Sequence, residues 1–386
     1  MKNKKIFFNG SVKNTHLIWK ELLKYPPKGY EYFYLDHRMS IDKINPLRKS
    51  KFITWAYKNF LYKLLSPIEI TEKLSSIPKE ADLIYSPEMV INKKIPWVCD
   101  LEAAISLAGH SYYLLKKRRK KIEKALASDY CKKIMVFTEF GKRTMVREFD
   151  ISKFKHKIEV VHFCSNIPKL NKKKDPKFIN IIFVGTVNQK DPKIFNLKGG
   201  REAIEAFRIL SKKYKNVKLK IISNIPKDID INIDRLEVMP LMDRDNLFGL
   251  YASSDIFLAP TYLNLGLSFI EAMGCGLPIV TTDMFGLSEA VDKNGFLINL
   301  KKKGSYKDRS IEISEFGSFI NFLRRENGQE LIEEIVRTIS ILIENPKMIK
   351  KMGLESRKKY EKEFSIKYKQ NKLKHIFDEA LEITNI

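Results

Sequence analysis

Short apolar runs alternate with polar, helix-periodic stretches along almost the whole chain, and this alternation predicts parallel α/β sheets. In the first half the runs are Lys5–Phe8, Tyr30–Leu35, Ala81–Tyr85, Pro96–Cys99, Lys133–Phe137 and Ile158–His162. In the second half they are Asn180–Val184, Lys218–Ile222, Arg235–Val238, Ile256–Ala259, Pro278–Thr281 and Gly295–Ile298. Each set is enough for one sheet. Between them Asn166–Lys177 is polar and basic and carries Pro168 and Pro176, the composition of an interdomain connection. A first domain over residues 1–170 and a second over residues 171–365 follow from that placement. Past Leu300 the pattern turns helical: Gln329–Glu344 has an amphipathic repeat, Asn345-Pro346 breaks it, and Lys347–Glu363 and Ile366–Ile383 come after. These helices close the second domain, and the last, 366–386, is expected to pack back on the first.

The composition agrees with two ordinary cores: 386 residues, 44% hydrophobic and 11% aromatic. Cys99, Cys131, Cys164 and Cys275 form no CxxC or Cys/His cluster, so neither a disulfide framework nor a zinc site is expected. The opening MKNKKIFFNG has an apolar run too short for a secretion signal and reads as a first strand. Ile256–Ile270, the longest uncharged stretch, is interrupted by Pro260, Asn264 and Gly266 and is too short for a bilayer helix. A cytoplasmic location is therefore expected.

Charge changes the picture more. The formal net charge of +25 is concentrated in residues 1–174, where 37 Lys and Arg face 17 Asp and Glu, a net of +20. A field of that sign concentrates phosphorylated acceptors, anionic lipid surfaces or nucleic acid; a lysine-rich surface kept for solubility is the plain alternative. Six consecutive cations, Lys116–Lys121, follow Tyr112–Leu115 and repel one another unless something anionic is near. They suggest peripheral attachment to an anionic membrane on its inner face. Ile53–Leu65, aromatic and lysine-bearing, has the composition of an interfacial helix or of a buried one with snorkelling lysines. No recognised nucleic-acid module is visible, which counts against nucleic acid as the partner.

The chemistry concentrates in Tyr251–Val291. A strand ends at Pro260, a short Gly-containing loop follows, and a helix opens near Leu267 with Glu271 in its first turns. Such a helix start offers unpaired N–H groups and a positive dipole end to a phosphate, with Glu271 placed to accept from ribose hydroxyls. Gly266-Leu267, Glu271-Ala272-Met273, Gly276-Leu277-Pro278-Ile279-Val280 and Gly286-Leu287-Ser288-Glu289 stand in an order and spacing that resemble the retaining family 4 glycosyltransferases. The resemblance implies the GT-B fold: two facing Rossmann-like domains with a cleft between them. It also implies a nucleotide-sugar donor such as a UDP- or GDP-sugar, no cofactor, and a donor site that includes Leu265, Gly266, Leu267, Glu271 and Glu289. The family's first glutamate, which contacts the transferred sugar, is replaced by Leu263, so that contact comes from another residue or is absent.

The resemblance reaches further along the chain. Phe183-Val184-Gly185 and Leu197-Lys198-Gly199-Gly200 look like the Gly turn and Lys-Gly motif of the family, with Thr186 where an arginine usually stands. Lys198 is then the group that neutralises the leaving diphosphate, with Lys190 or Lys193 as substitutes. Asn9-Gly10-Ser11 resembles the glycine loop near the donor phosphates, although a tight turn explains it equally. Where relatives often carry His-Asp, Cys99-Asp100 stands here, followed by Glu102 and His110. These three are candidates to orient or deprotonate an acceptor hydroxyl, and an exposed carboxylate pair is the alternative. Thr138–Arg143 resembles the family's turn near acceptor and diphosphate, with Lys142 and Arg143 as weaker candidates and Thr138 also fitted to cap a helix.

Together these features imply transfer of a sugar to a glycan or lipid-linked acceptor, with retention and without metal, the diphosphate being stabilised by a lysine and a helix start. Asp228-x-Asp230 and Asp243-x-Asp245 read as solvated loop residues rather than metal ligands. A nucleotide-sugar epimerase of the same fold and a non-catalytic binder of membrane or nucleic acid are the rival readings.

Overall fold

Each half of the chain folds around six parallel strands. In the computed structural model, which describes residues 3–10, 16–34, 77–168, 170, 175–185, 193–304, 309–312 and 315–382, the chain divides into residues 1–164 with 366–386, and residues 165–365. The first sheet holds β1 (Lys4–Phe8), β2 (Tyr30–Phe33), β3 (Leu83–Pro87), β4 (Trp97–Leu101), β5 (Cys131–Val136) and β6 (Ile158–Val160), in the order β2-β1-β3-β4-β5-β6. β3 and β4 are buried at every residue, as a parallel sheet covered on both faces requires.

Among the described residues, α1 (Leu17–Lys24), α2 (Tyr112–Ala127), α3 (Glu139–Glu148) and α10 (Ile366–Ala380) flank it. One face packs Phe7, Ile84, Trp97 and Cys99 under Leu114, Leu115, Ile122 and Leu126 of α2. The other packs Ile6, Phe8, Tyr85 and Val98 under Leu373, Ile376 and Phe377 of α10. Tyr30 donates to Asp378 of α10 at 2.6 Å, and Lys133, almost buried within β5, pairs with Glu379 at 2.9 Å.

The second sheet holds β7 (Ile179–Val184), β8 (Val217–Ile222), β9 (Leu236–Met239), β10 (Ile256–Ala259), β11 (Ile279–Thr282) and β12 (Gly295–Ile298), in the order β12-β11-β10-β7-β8-β9. Its helices are α4 (Lys193–Leu197), α5 (Gly200–Lys213), α6 (Arg244–Ser253), α7 (Leu267–Gly274), α8 (Phe316–Glu344) and α9 (Pro346–Lys359), closed by a π-helical turn at Tyr360–Phe364.

Two elements depart from the sequence pattern. Helix α8 starts at Phe316 rather than Gln329, because Phe319, Ile320 and Leu323 bury a face that Gly317, Asn321 and Gly328 obscure in the pattern. Asp243 is not a loop residue but the cap of α6, its carboxylate accepting from the Asn246 amide at 2.9 Å. Ile53–Leu65 lies outside the described residues.

In both sheets the chain reverses its direction of growth beside the first strand, between β1 and β3 and between β7 and β10. Loops diverge at such a point, and the crevice at the carboxyl ends of the strands is where open α/β sheets hold ligands.

Candidate active site

At the switch point of the second sheet, two loops are built against each other. The chain leaves β7 through Gly185, where a side chain would strike Ser223 of the neighbouring loop. It passes α4 and makes the turn Leu197–Lys198–Gly199, with Gly199 left-handed at φ 71° as the residue before α5. A β-carbon on Gly199 would run into the Pro260 carbonyl, so only glycine lets the turn sit this close to the loop after β10. Tyr262 N donates to the Leu197 carbonyl at 2.9 Å, and the Thr261 hydroxyl donates to the same oxygen at 3.4 Å.

That loop runs on through Leu265, which is buried, to Gly266, which precedes α7 with open space around it. Leu267 opens α7, and Glu271 lies on it with 5% exposure. Burial pulls the Lys198 ammonium down to about 8, and Glu271 is near enough to oppose that shift. The Glu271 carboxylate is gripped by Arg244 of α6, whose Nε and terminal nitrogen lie 3.3 Å and 3.2 Å from Oε1. Tyr251, also on α6, hydrogen-bonds Glu271 and has its hydroxyl pushed well up by burial. The arrangement is a carboxylate held between two cations beside the open start of a helix. Chemically it suits hydroxyl recognition next to a phosphate.

The first sheet has its own group at the carboxyl ends of β1, β3 and β4. Glu88, just after β3, adopts a left-handed backbone at φ 52°, and so does His110 at φ 59° before α2. For non-glycine residues this conformation costs about 1–2 kcal/mol. Their side chains meet at 3.7 Å, and the Glu88 contact holds the His110 imidazole above its ordinary pKa against the opposing effect of burial. Burial pushes the Glu102 carboxyl up to about 7, with Glu88 adding to the rise and His110 opposing it. His16, the cap of α1, lies within the field of Glu88.

Asp100, offered by the sequence to the acceptor, takes a different place. It is 1% exposed, accepts from Trp19 Nε1 at 3.0 and 3.1 Å and from the Tyr85 hydroxyl, and faces buried Lys369 of α10. Such enclosure makes Asp100 a structural carboxylate, correcting the acceptor role, whereas Glu102 lies one residue past the end of β4 and is only partly buried.

Gly10 follows β1 against the Phe8 ring, and Glu289 sits half-buried on a short 3₁₀ turn after β11. Thr138 caps α3, accepting from the Gly141 amide at 3.0 Å, and the Arg143 guanidinium lies 5.9 Å from the Phe140 ring centre. Lys193 is the first residue of α4, while Lys190 and Thr186 lie outside the described residues. Asp228 and Asp230 accept from Arg201 and Arg208 at the surface. Two functional candidates escaped the sequence reading. Arg244 has no local signal, because its partner lies 27 residues away. Glu88 had a weak one, a lone carboxylate directly after the apolar run that forms β3.

Comparison with known proteins bears on the fold and on the second unit. The family model described as "Glycosyl transferases group 1" matches residues 178–314, within the second unit. An uncharacterized glycosyltransferase of Haemophilus influenzae is 26% identical over 309 residues, covering 75% of this chain and 74% of that protein. Among solved structures, HepE of Anabaena in complex with UDP-glucose superposes with a TM-score of 0.59 at 13% identity, covering 97% of this chain and 99% of that one. TarM superposes with a TM-score of 0.51 at 16% identity over 81% of this chain, which spans 57% of TarM. The two parallel sheets with flanking helices are the GT-B architecture. The chain is a glycosyltransferase, with the group 1 signature in its second unit.

Proposed function

We propose that the protein transfers a sugar from a nucleoside diphosphate sugar, with retention and without metal, to a hydroxyl of a glycan or lipid-linked acceptor. The observation that carries this reading is the joining of Lys198, Glu271 and the open start of α7 at one switch point. The helix start and Lys198 take the diphosphate, and Glu271 accepts from the ribose. UDP is the first nucleotide to try, since HepE was solved with UDP-glucose. In the first unit Glu102, His110 and Glu88 receive the acceptor hydroxyl, and Glu102, with its pKa near neutrality, suits proton exchange.

Titration calorimetry with UDP and GDP tests the donor site. One of the two is expected to bind, and Glu271→Ala is expected to weaken it about 10- to 150-fold, the loss of a charge-assisted hydrogen bond of about 1.5–3 kcal/mol. Equal affinity in the variant would remove Glu271 from the site.

The acceptor's anionic part is assigned to α2. Tyr113, Lys116, Lys117, Lys120, Lys121 and Lys124 are exposed on it, and most of them recur at three- and four-residue spacing along one stripe. Among the described residues no helix is long and apolar enough to cross a membrane. A cation near an acidic bilayer contributes about 1 kcal/mol at modest salt, so the stripe can hold the protein there reversibly. Co-sedimentation with phosphatidylserine vesicles is expected at low salt and lost at high salt, and changing Lys116–Lys121 to Gln is expected to abolish it. Equal binding to neutral vesicles would end the membrane reading.

A further inference from the structure

We propose that Arg244 is a positioning residue of the donor site: it holds the Glu271 carboxylate in place and ionised, so that Glu271 can accept hydrogen bonds from the ribose of a nucleoside diphosphate sugar. The inference rests on the donor-site reading above and adds a residue that reading does not need. Glu271 is 5% exposed, and burial of that degree favours the neutral acid unless a cation compensates. Among the described residues, the charged and titratable groups facing it include Arg244 and Tyr251 from α6 and Lys198 from the turn before α5, with Cys275 beyond the end of α7 near Tyr251. Of these cations Arg244 bonds the carboxylate directly, at 3.2 and 3.3 Å, and its guanidinium keeps its charge at every working pH, whereas Lys198, brought to about 8 by burial, loses its charge at the alkaline end.

Arg244 is also fixed from several sides. It is the first residue of α6, stacks over Phe248 one turn on at 5.1 Å, and donates to the Ser165 hydroxyl while it grips Oε1 of Glu271. Its guanidinium therefore needs no reordering when a nucleotide arrives, and the carboxylate it holds is preorganised.

Calorimetric titration of UDP and GDP between about pH 6 and about pH 8.5 tests this in wild type, Arg244→Gln, Arg244→Lys and the double variant Arg244→Gln/Glu271→Gln. The wild-type series carries the nucleotide's own ionisation, so each variant is read as a ratio to it. Removing the cation raises the carboxyl pKa by about 1–3 units, and a raised carboxyl pKa means the ionised form is lost earlier as pH falls. Arg244→Gln is thus expected to lose about tenfold or more in affinity at the acid end and less than about threefold at the alkaline end. Arg244→Lys keeps the charge and is expected to keep a flat ratio, and the double variant is expected to be flat because no carboxyl is left to titrate. A loss in Arg244→Gln that is equal at every pH, no loss at all, or a sloping ratio in Arg244→Lys overturns the proposal. Wild type that binds neither nucleotide overturns the donor-site reading first, and the role of Arg244 with it.

Discussion

Lys198→Ala is expected to lower turnover by about 100- to 1,000-fold while changing nucleotide affinity by less than about tenfold. In the proposed reaction charge on the diphosphate grows as the glycosidic bond breaks, so a cation fixed beside it acts more on the transition state than on the bound donor. The position of Lys198 is over-determined: Gly199 must be glycine to clear Pro260, and both Tyr262 and Thr261 bond the Leu197 carbonyl. A pH profile gives the same test without mutation. The ammonium, lowered to about 8 by burial, is charged below that pH and neutral above it, so kcat/KM, which reports the free enzyme, is expected to fall above about pH 8. Equal losses in affinity and turnover for Lys198→Ala would assign the lysine to ground-state binding instead.

Asp100→Ala is expected to destabilise the first unit by about 3–5 kcal/mol, since it leaves Lys369 buried without its opposing charge. Asp100 also satisfies Trp19 and Tyr85, which tie α1 and β3 to β4, and Lys369 lies on α10, the helix that supplies Leu373, Ile376 and Phe377 to the core. All three tryptophans, Trp19, Trp55 and Trp97, lie within residues 1–164, so denaturant unfolding followed by tryptophan fluorescence reports on this unit. Combining Asp100→Leu with Lys369→Met is expected to recover only part of the loss, because it removes the unpaired buried charge but leaves Trp19 and Tyr85 without their acceptor. A single variant as stable as wild type would return Asp100 to the candidates for acceptor chemistry.

The sheets were legible because a parallel strand covered on both faces must be apolar at nearly every position. Ile256–Ala259 and Gly295–Ile298 stand in the structure as read from the sequence, and the other strands differ by a few residues at their ends. β5 begins at Cys131 rather than Lys133, since Lys132 and Lys133 look like a strand boundary until Glu159 and Glu379 are seen to neutralise the second of them. The candidate donor site is proposed from local motifs: the Lys-Gly turn and the Gly-Leu to Glu spacing each lie within a few residues of chain. What stayed hidden depends on distance along the chain. Arg244 matters only through Glu271, Asp100 is claimed by Trp19 and Lys369 from the two ends of the sequence, and Glu88 acquires meaning when β3 and β4 bring it beside Glu102 and His110.

The central claim, that this fold turns over a nucleoside diphosphate sugar, is tested most directly by incubating wild type with a panel of UDP- and GDP-sugars in the presence of a chelator and measuring released nucleoside diphosphate. The account predicts that one donor is consumed without added metal and that Lys198→Ala suppresses its consumption. Release from no donor, or release that persists unchanged in Lys198→Ala, would contradict it.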